Sequence, residues 1–285
     1  MTNISLDFSR RRELTLYARV IADVQAVAAA FRMTTMVTGA FARDLHIYYA
    51  YGINTIRETE DVDFALAVPD WKSFAALKHG LIDTGRFRDS PGAQQRLRHT
   101  SELPVDLVPF GGVETATRHV DWPPGGDIRM DVFGFREVAA STLRIRLPDG
   151  VEATVISLPA LALLKIIAWQ DRHYRMPMKD AHDLMLIVSN YLDLGNQNRL
   201  WNEFHTWTEE DDFDTSRAGA RMLGVDVAGL LDEDGQERVA AILAQQADTD
   251  TPGLLPREMC SWDEERARAL LEQMLKGFTR RRNVV

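Results

Sequence analysis

Asp61 and Asp63 form the clearest chemical pattern in the sequence. They stand two residues apart at the start of an apolar run, Val62-Asp63-Phe64-Ala65-Leu66-Ala67-Val68. Alternate residues of a strand project from the same face, so both carboxylates are expected on one side of it. Two carboxylates in a partly buried place repel each other unless water or a cation compensates their charge. Because hard oxygen ligands favour Mg²⁺ or Mn²⁺, the pair predicts a divalent metal site.

A third acidic residue strengthens the metal interpretation, since the pair alone also fits a solvated strand start or a helix-capping turn. Asp106 lies in a second apolar run, Val105-Asp106-Leu107-Val108-Pro109-Phe110, where a structural strand would carry valine or threonine. A neighbouring strand would bring Asp106 close to the pair. Three carboxylates bridged by two metal ions would lower the pKa of an attacking hydroxyl. They would also neutralise charge on a transferred phosphoryl group and its pyrophosphate leaving group.

The Thr38-Gly39-Ala40 turn predicts where phosphates bind. Glycine lets the backbone approach a phosphate closely, and the helix expected after the turn offers unpaired N–H groups. Arg43, one turn into that helix, is a candidate for binding the same phosphates. Two alternatives stay open: the turn is an ordinary strand–helix connection, and Arg43 pairs with Asp44 or Glu60.

The hydrophobic pattern predicts elements that would hold these residues in place. Before Ser157, apolar residues repeat in some segments every two residues, as in strands, and in others every 3.6 residues, as in helices. From Leu158 onward only the helical repeat occurs. We therefore expect an α+β protein, with a mixed sheet flanked by helices in residues 1–157 and a mostly helical C-terminal domain in residues 158–285. The expected strands are 34–38, 62–68 and the arms of hairpins within 95–110 and 143–156; the expected helices are 13–31, 40–46, 71–81, 158–171 and 179–191.

The composition excludes several classes of protein. A chain of 285 residues with 45% hydrophobic content can bury a sizeable core. Cys260 is the single cysteine, so disulfides within the chain and cysteine-based zinc clusters are excluded. A polar start and the lack of an apolar run of bilayer length predict a cytoplasmic protein without membrane contact. The net charge of −9 argues against a protein that coats nucleic acid through bulk electrostatics.

Taken in chain order, these motifs resemble the nucleotidyltransferase superfamily related to DNA polymerase β. The matching residues are Gly39-Ala40 with Arg43, then Thr59-Glu60-Asp61-Val62-Asp63-Phe64, then Asp106. The second half looks like the AbiEii/AbiGii toxin family, through Ser157-Leu158-Pro159-Ala160-Leu161-Ala162-Leu163-Leu164-Lys165, Arg172, Arg175 and Lys179-Asp180-Ala181-His182-Asp183-Leu184. The resemblance implies a nucleotidyltransferase-like fold, with Mg²⁺ or Mn²⁺ as the cofactor and an NTP as the donor substrate.

The resemblance also implies roles for residues of the second half, because two helices there help to form the nucleotide cleft in the toxin family. Lys165 and Lys179 are implied to neutralise the triphosphate, and Asp180 or Asp183 to support catalysis. Lys165 lies among aliphatic residues, so its ammonium is expected to face a pocket or an acidic partner. The alternative for the two aspartates is structural pairing with nearby basic residues such as Arg172, or helix capping by Asp180.

The function implied by the resemblance is transfer of an NMP from an NTP to an acceptor hydroxyl, as the toxin of a bacterial toxin–antitoxin pair. RNA such as tRNA is the implied acceptor, and a cognate antitoxin is the implied protein partner. One alternative is transfer to a small molecule, as in antibiotic-modifying nucleotidyltransferases; the net charge of −9 favours it, because tRNA needs a basic track. The other alternative is a catalytically silent nucleotide-binding protein.

Overall fold

The computed structural model describes residues 4–55, 59–126, 128–251 and 253–280. The chain divides into two compact units, Met1–Ser157 and Leu158–Val285. A mixed sheet with helices makes up the first unit, and helices make up the second, so the α+β class predicted from the sequence is confirmed. Within the described ranges, no helix is both long enough and apolar enough to cross a membrane.

The first unit is organised around one mixed sheet. Its described strands are β1 Leu6–Asp7, β2 Thr35–Thr38, β3 Val62–Val68, β4 Phe87–Asp89, β5 Arg96–His99, β6 Pro104–Gly111, β7 His119–Asp121, β8 Arg129–Asp131, β9 Thr142–Arg146 and β10 Glu152–Ile156. Eight of them form a sheet in the order β1-β9-β10-β2-β3-β6-β5-β4, and β7 pairs with β8 in a small separate sheet. The predicted strand over 62–68 has those bounds, and both predicted hairpins form.

The helices of the first unit are short except for two. They are α1 Thr15–Ala30, α2 Gly39–Asp44, α3 Trp71–Asp83 and α4 Phe135–Val138. One 3₁₀ turn, Arg12–Leu14, precedes α1, and one π-helical turn, Leu45–Tyr49, follows α2. α3 begins after Asp70, whose side chain accepts a hydrogen bond from the backbone N–H of Ser73 and so caps the helix.

Strands β3 and β6 form the buried centre of the sheet. They run parallel, with Val62 opposite Val105 and Phe64 opposite Leu107. All four of these side chains are fully buried, as expected for parallel strands covered on both faces. β2 lies antiparallel on the other side of β3, and β5 lies antiparallel on the other side of β6. The first residues of β3 and β6 are therefore neighbours, and β2 and β5 flank them.

The second unit is helical along its described residues. Its helices are α5 Leu158–Arg172, α6 Lys179–Asn190, α7 Gln197–Glu203, α8 Thr215–Ala228, α9 Glu233–Ala247, α10 Leu254–Met259 and α11 Glu264–Arg280. α8 and α11 pack backbone to backbone at two glycines: a Cβ atom at Gly224 would lie 2.0 Å from the carbonyl oxygen of Met274, and one at Gly277 would lie 1.8 Å from that of Arg221. Glycine is therefore the residue that permits this close approach.

Candidate active site

The register of β3 and β6 brings three carboxylates together. Asp63 stands directly opposite Asp106, and Asp61 precedes β3 by one residue. One oxygen from each of Asp61, Asp63 and Asp106 lies within 4.8 Å of the other two. Asp106 is the most enclosed of the three, with 9% of its surface exposed. We call these three residues the acidic cluster.

Gly39 packs directly against the acidic cluster. Its neighbour Thr38 is the register partner of Asp63 across β2 and β3. Gly39 has a φ of +69°, and a Cβ atom there would lie 1.8 Å from Oδ2 of Asp63. Both the left-handed backbone and the lack of space require glycine. Ala40 follows it in α2 and is buried. The turn predicted to bind phosphates therefore lies beside the predicted metal ligands.

Arg43 pairs with Asp44, which is one of the two partners that the sequence left open, and its role at the phosphates stays a prediction. Its guanidinium donates from Nε and Nη2 to Oδ1 of Asp44, at 2.8 and 2.6 Å, and only 1% of the residue is exposed. The other oxygen of Asp44 accepts a hydrogen bond from the hydroxyl of Thr59. The physical reason is that α2 is buried around Arg43, so the charge needs a partner inside the protein. The pair supports the segment that leads into Asp61.

Arg96 contacts the acidic cluster and was not identified from the sequence. It lies opposite Asp106 in the β5–β6 pair. Its Nε and Nη2 donate to the two oxygens of Asp106, each at 2.7 Å, and Nη2 also donates to Oδ2 of Asp61 at 3.0 Å. The hydrogen bonds to Asp106, together with the charges of the cluster, raise the pKa of Arg96. The register that places Arg98 opposite Pro104 also places Arg96 opposite Asp106, and the hairpin pattern alone did not fix that register.

The acidic cluster has the donor set that a hard divalent cation needs. All its ligand atoms are carboxylate oxygens, which suit Mg²⁺ and Mn²⁺ better than softer metals. Two oxygens bound to one Mg²⁺ at about 2.1 Å are at most about 4.2 Å apart. The carboxylate oxygens of the acidic cluster are up to 4.8 Å apart, so their side chains need to shift by only a fraction of an ångström to bind one ion. The residues present fit a divalent metal.

The second unit contains a buried charge cluster around Lys165. The ammonium lies 3.0 Å from Oδ1 of Asp180 and 2.5 Å from Oδ2 of Asp183. Arg172 donates from Nε and Nη2 to both oxygens of Asp180, at 2.8 and 2.9 Å. The exposed fractions of Lys165, Asp180 and Asp183 are 5%, 2% and 4%. Two cations and two carboxylates thus compensate one another inside the protein.

These contacts set the pKa values of the cluster. Burial alone would raise the pKa of Asp180, yet Lys165 and Arg172 hold it well below the ordinary value. Burial alone would lower the pKa of Lys165, but the charges of Asp183 and Asp180 raise it.

The structure therefore adopts the pairing alternative for Asp180, with Lys165 as a partner besides Arg172. Asp180 does not cap α6, because the N-cap of this helix has no side-chain hydrogen bond. Lys179, the first residue of α6, is half-buried. The implied nucleotide roles of these residues stay predictions.

Solved nucleotidyltransferases show partial likeness to the chain. One is the antibiotic-resistance factor ANT(2″)-Ia in complex with adenylyl-2″-tobramycin, at 15% identity and a TM-score of 0.39, covering 67% of this chain and 98% of that one. Another is an antigenic nucleotidyltransferase-like protein from Paracoccidioides brasiliensis, at 15% identity and a TM-score of 0.40, covering 70% of this chain and 92% of that one. A third is the Thermotoga maritima CCA-adding enzyme complexed with tRNA, at 12% identity and a TM-score of 0.24, covering 95% of this chain and 82% of that one. These scores are too low to carry an argument.

The family comparison is decisive. No curated protein matches the sequence. One protein family, described as "Nucleotidyl transferase AbiEii toxin, Type IV TA system", matches residues 24–273. This span contains the acidic cluster, Gly39 and the Lys165 cluster, and it agrees with the resemblance seen in the sequence. The chain therefore belongs to the AbiEii nucleotidyl transferase toxin family.

Proposed function

We propose that this nucleotidyltransferase transfers an NMP from an NTP to an acceptor hydroxyl, with divalent metal ions held by Asp61, Asp63 and Asp106. One observation carries the proposal: three carboxylates from two adjacent parallel strands place their oxygens within 4.8 Å of one another. Packing alone gives no reason to place Asp63 and Asp106 opposite each other, because like charges on neighbouring strands repel. Mg²⁺ or Mn²⁺ would compensate that repulsion.

The transfer would take place in one displacement. The acceptor oxygen forms a bond to the α-phosphorus of the NTP while the bond from that phosphorus to pyrophosphate breaks. The hydroxyl proton passes to a carboxylate of the acidic cluster or to water. Bound metal would supply stabilisation of the charge on the phosphoryl oxygens and the leaving pyrophosphate. The carboxylates orient the reactants, since such reactions depend mainly on positioning and electrostatics.

Gly39 would contribute by leaving room for phosphate beside Asp63. A side chain at this position would overlap the Asp63 carboxylate, so the backbone itself forms the surface next to the cluster. Backbone N–H groups at such a turn can bind phosphate oxygens without a charged side chain.

The proposed acceptor is RNA such as tRNA, and the proposed role is that of a toxin controlled by a cognate antitoxin. The family description supports the toxin role. A second candidate is a small hydroxylated molecule. The net charge of −9 favours it, because a polyanionic acceptor is repelled by an acidic protein unless a basic surface receives it. The two candidates differ in the acceptor but share the metal and the donor.

The acceptor can be identified with labelled donors. Each α-labelled NTP is supplied with Mg²⁺ or Mn²⁺ to a tRNA pool and, separately, to a panel of small hydroxylated compounds. Wild-type protein is compared with Asp63→Ala and with Asp83→Asn; Asp83 is exposed at the end of α3 and serves as the matched control. We expect label on tRNA from the wild type and the control only. Expression in bacteria should also arrest growth, and Asp63→Ala should relieve the arrest.

The outcomes separate the candidates. Label on small compounds alone would select the second acceptor class. Equal labelling by the wild type and Asp63→Ala would refute the assignment of the acidic cluster. Metal-dependent NTP binding without transfer to any acceptor would instead support a catalytically silent nucleotide-binding protein.

A further inference from the structure

Arg96 is a cation that already contacts the acidic cluster. Its guanidinium binds both oxygens of Asp106 and one oxygen of Asp61, so two of the three candidate metal ligands already have a cationic partner. The β5–β6 pairing fixes this arrangement, because Arg96 and Asp106 are directly opposite each other and their side chains share one face of the sheet.

The exposure of Arg96 distinguishes it from a permanent structural partner. In the Arg43–Asp44 pair, the two side chains are 1% and 9% exposed, so neither can leave without breaking the core. The Arg96 side chain is 31% exposed, against 12% for Asp106. Because 31% of the Arg96 side chain is exposed, water can solvate the guanidinium as it leaves, which offsets part of the cost of losing its carboxylate contacts. Arg96 can therefore be displaced while the carboxylates stay where the strands hold them.

We propose that Arg96 is the resident counter-ion of the acidic cluster: it holds Asp61 and Asp106 together when no metal is bound and competes with the divalent cation for them. The inference rests on the proposed function, since it assumes that the cluster binds metal. The carboxylates of Asp61 and Asp106 carry two negative charges against the single charge of the guanidinium that they share, and this excess attracts a further cation. A divalent ion on the same oxygens would be within a few ångströms of the guanidinium, and two cations that close repel each other. Arg96 thus raises the concentration of free metal that is needed to occupy the cluster.

Metal affinity tests the competition directly. Mn²⁺ is titrated into the full chain without nucleotide, and free Mn²⁺ is measured by electron paramagnetic resonance. The variants are Arg96→Gln, which removes the charge, and Arg96→Lys, which keeps the charge but loses the bidentate contact. Arg98→Gln is the matched control, because Arg98 is on the same strand and its Nη1 donates only to the backbone oxygen of Glu102 among the hydrogen bonds described for it.

We expect Arg96→Gln to bind Mn²⁺ at least about tenfold more tightly than the wild type, because it removes charge-assisted hydrogen bonds that compete with the ion. Arg96→Lys should fall between them, and Arg98→Gln should match the wild type. Without metal, Arg96→Gln should unfold at a lower temperature than the wild type, and Mn²⁺ should raise its unfolding temperature by more. If Arg96→Gln does not fold, Arg96→Lys still tests the affinity.

Equal or weaker Mn²⁺ binding by the Arg96 variants would overturn the counter-ion proposal and leave nucleotide transfer unaffected. Absence of Mn²⁺ binding by every protein would overturn both proposals. A wild type that binds Mn²⁺ less tightly than Arg96→Gln, yet transfers no nucleotide, would support the role of Arg96 and contradict the proposed function alone.

Discussion

Replacing Gly39 with alanine tests how tightly the turn and the acidic cluster fit together. Gly39 has a φ of +69°, in the left-handed region that disfavours residues with a Cβ atom. This conformation costs alanine about 1–2 kcal/mol. The new Cβ would also lie 1.8 Å from Oδ2 and 2.6 Å from Cγ of Asp63. Because atoms cannot approach so closely, either the Asp63 carboxylate turns away or the backbone of β2 moves.

The two effects add up to a loss that can be measured. Overpacking of a filled site costs about 1–3 kcal/mol, so Gly39→Ala should lower the free energy of unfolding by about 2–5 kcal/mol in all. If Asp63 turns away, the cluster loses one of its three oxygen ligands. Mn²⁺ affinity should then fall by about tenfold or more.

Gly85→Ala is the matched control. Gly85 has a φ of +70°, and no atom lies within 4 Å of the position of its Cβ, so alanine there meets the backbone strain without the overlap. It should lose about 1–2 kcal/mol and keep the Mn²⁺ affinity of the wild type. Urea unfolding and Mn²⁺ titration of the same samples give both quantities. Equal losses of stability in the two variants, with unchanged Mn²⁺ affinity in Gly39→Ala, would refute the reasoning.

Three further predictions concern the second unit. Lys165→Met should lower the free energy of unfolding by about 3–5 kcal/mol in urea, since Asp180 and Asp183 would stay buried without the ammonium; an unchanged urea midpoint would contradict the pairing. Because the folded-state pKa of Asp180 lies below 3.8, its contribution to stability is present above that pH and is lost as the pH falls further. Thermal melts from about pH 4 to about pH 2 should show this loss in the wild type, and an unfolding temperature constant over that range would argue against it. Gly277→Ala should destabilise the α8–α11 packing by about 1–3 kcal/mol, because its Cβ would overlap the carbonyl of Arg221; a neutral result in thermal melts would contradict that packing.

The sequence was sufficient to predict the central strands and the acidic cluster. Apolar alternation with single aspartates marked β3 and β6, and the expectation that neighbouring strands would bring Asp106 close to the pair agrees with the observed register. The glycine after β2 marked a turn that lets the backbone approach a ligand closely, and the structure adds a second reason for glycine, a positive φ. Local patterns of this kind depend on the period of a strand and on backbone sterics, both of which can be read from a single chain.

Partners of charged side chains could not be predicted in the same way. For Arg43 the sequence left open phosphate binding and pairing with Asp44 or Glu60, and burial of α2, which depends on tertiary packing, pairs it with Asp44. Arg96 was overlooked because its importance comes from the register of β5 with β6, which the turn between the strands sets. Lys165 was expected to face a pocket or an acidic partner, but only the packing of α5 against α6 identifies Asp180 and Asp183 as the two carboxylates that it contacts.

Nucleotide transfer by an Asp106→Asn variant tests the central claim most directly. The substitution keeps the size of the side chain and removes one charge from the acidic cluster. Single-turnover transfer of labelled NMP is measured for the wild type, Asp106→Asn and the control Asp83→Asn, with saturating Mg²⁺ and the acceptor found in the labelling survey. We expect the rate of Asp106→Asn to fall by about a hundredfold or more, because charge stabilisation by bound metal is worth several kcal/mol. The rate of Asp83→Asn should not change. Transfer by Asp106→Asn at the wild-type rate would contradict the account.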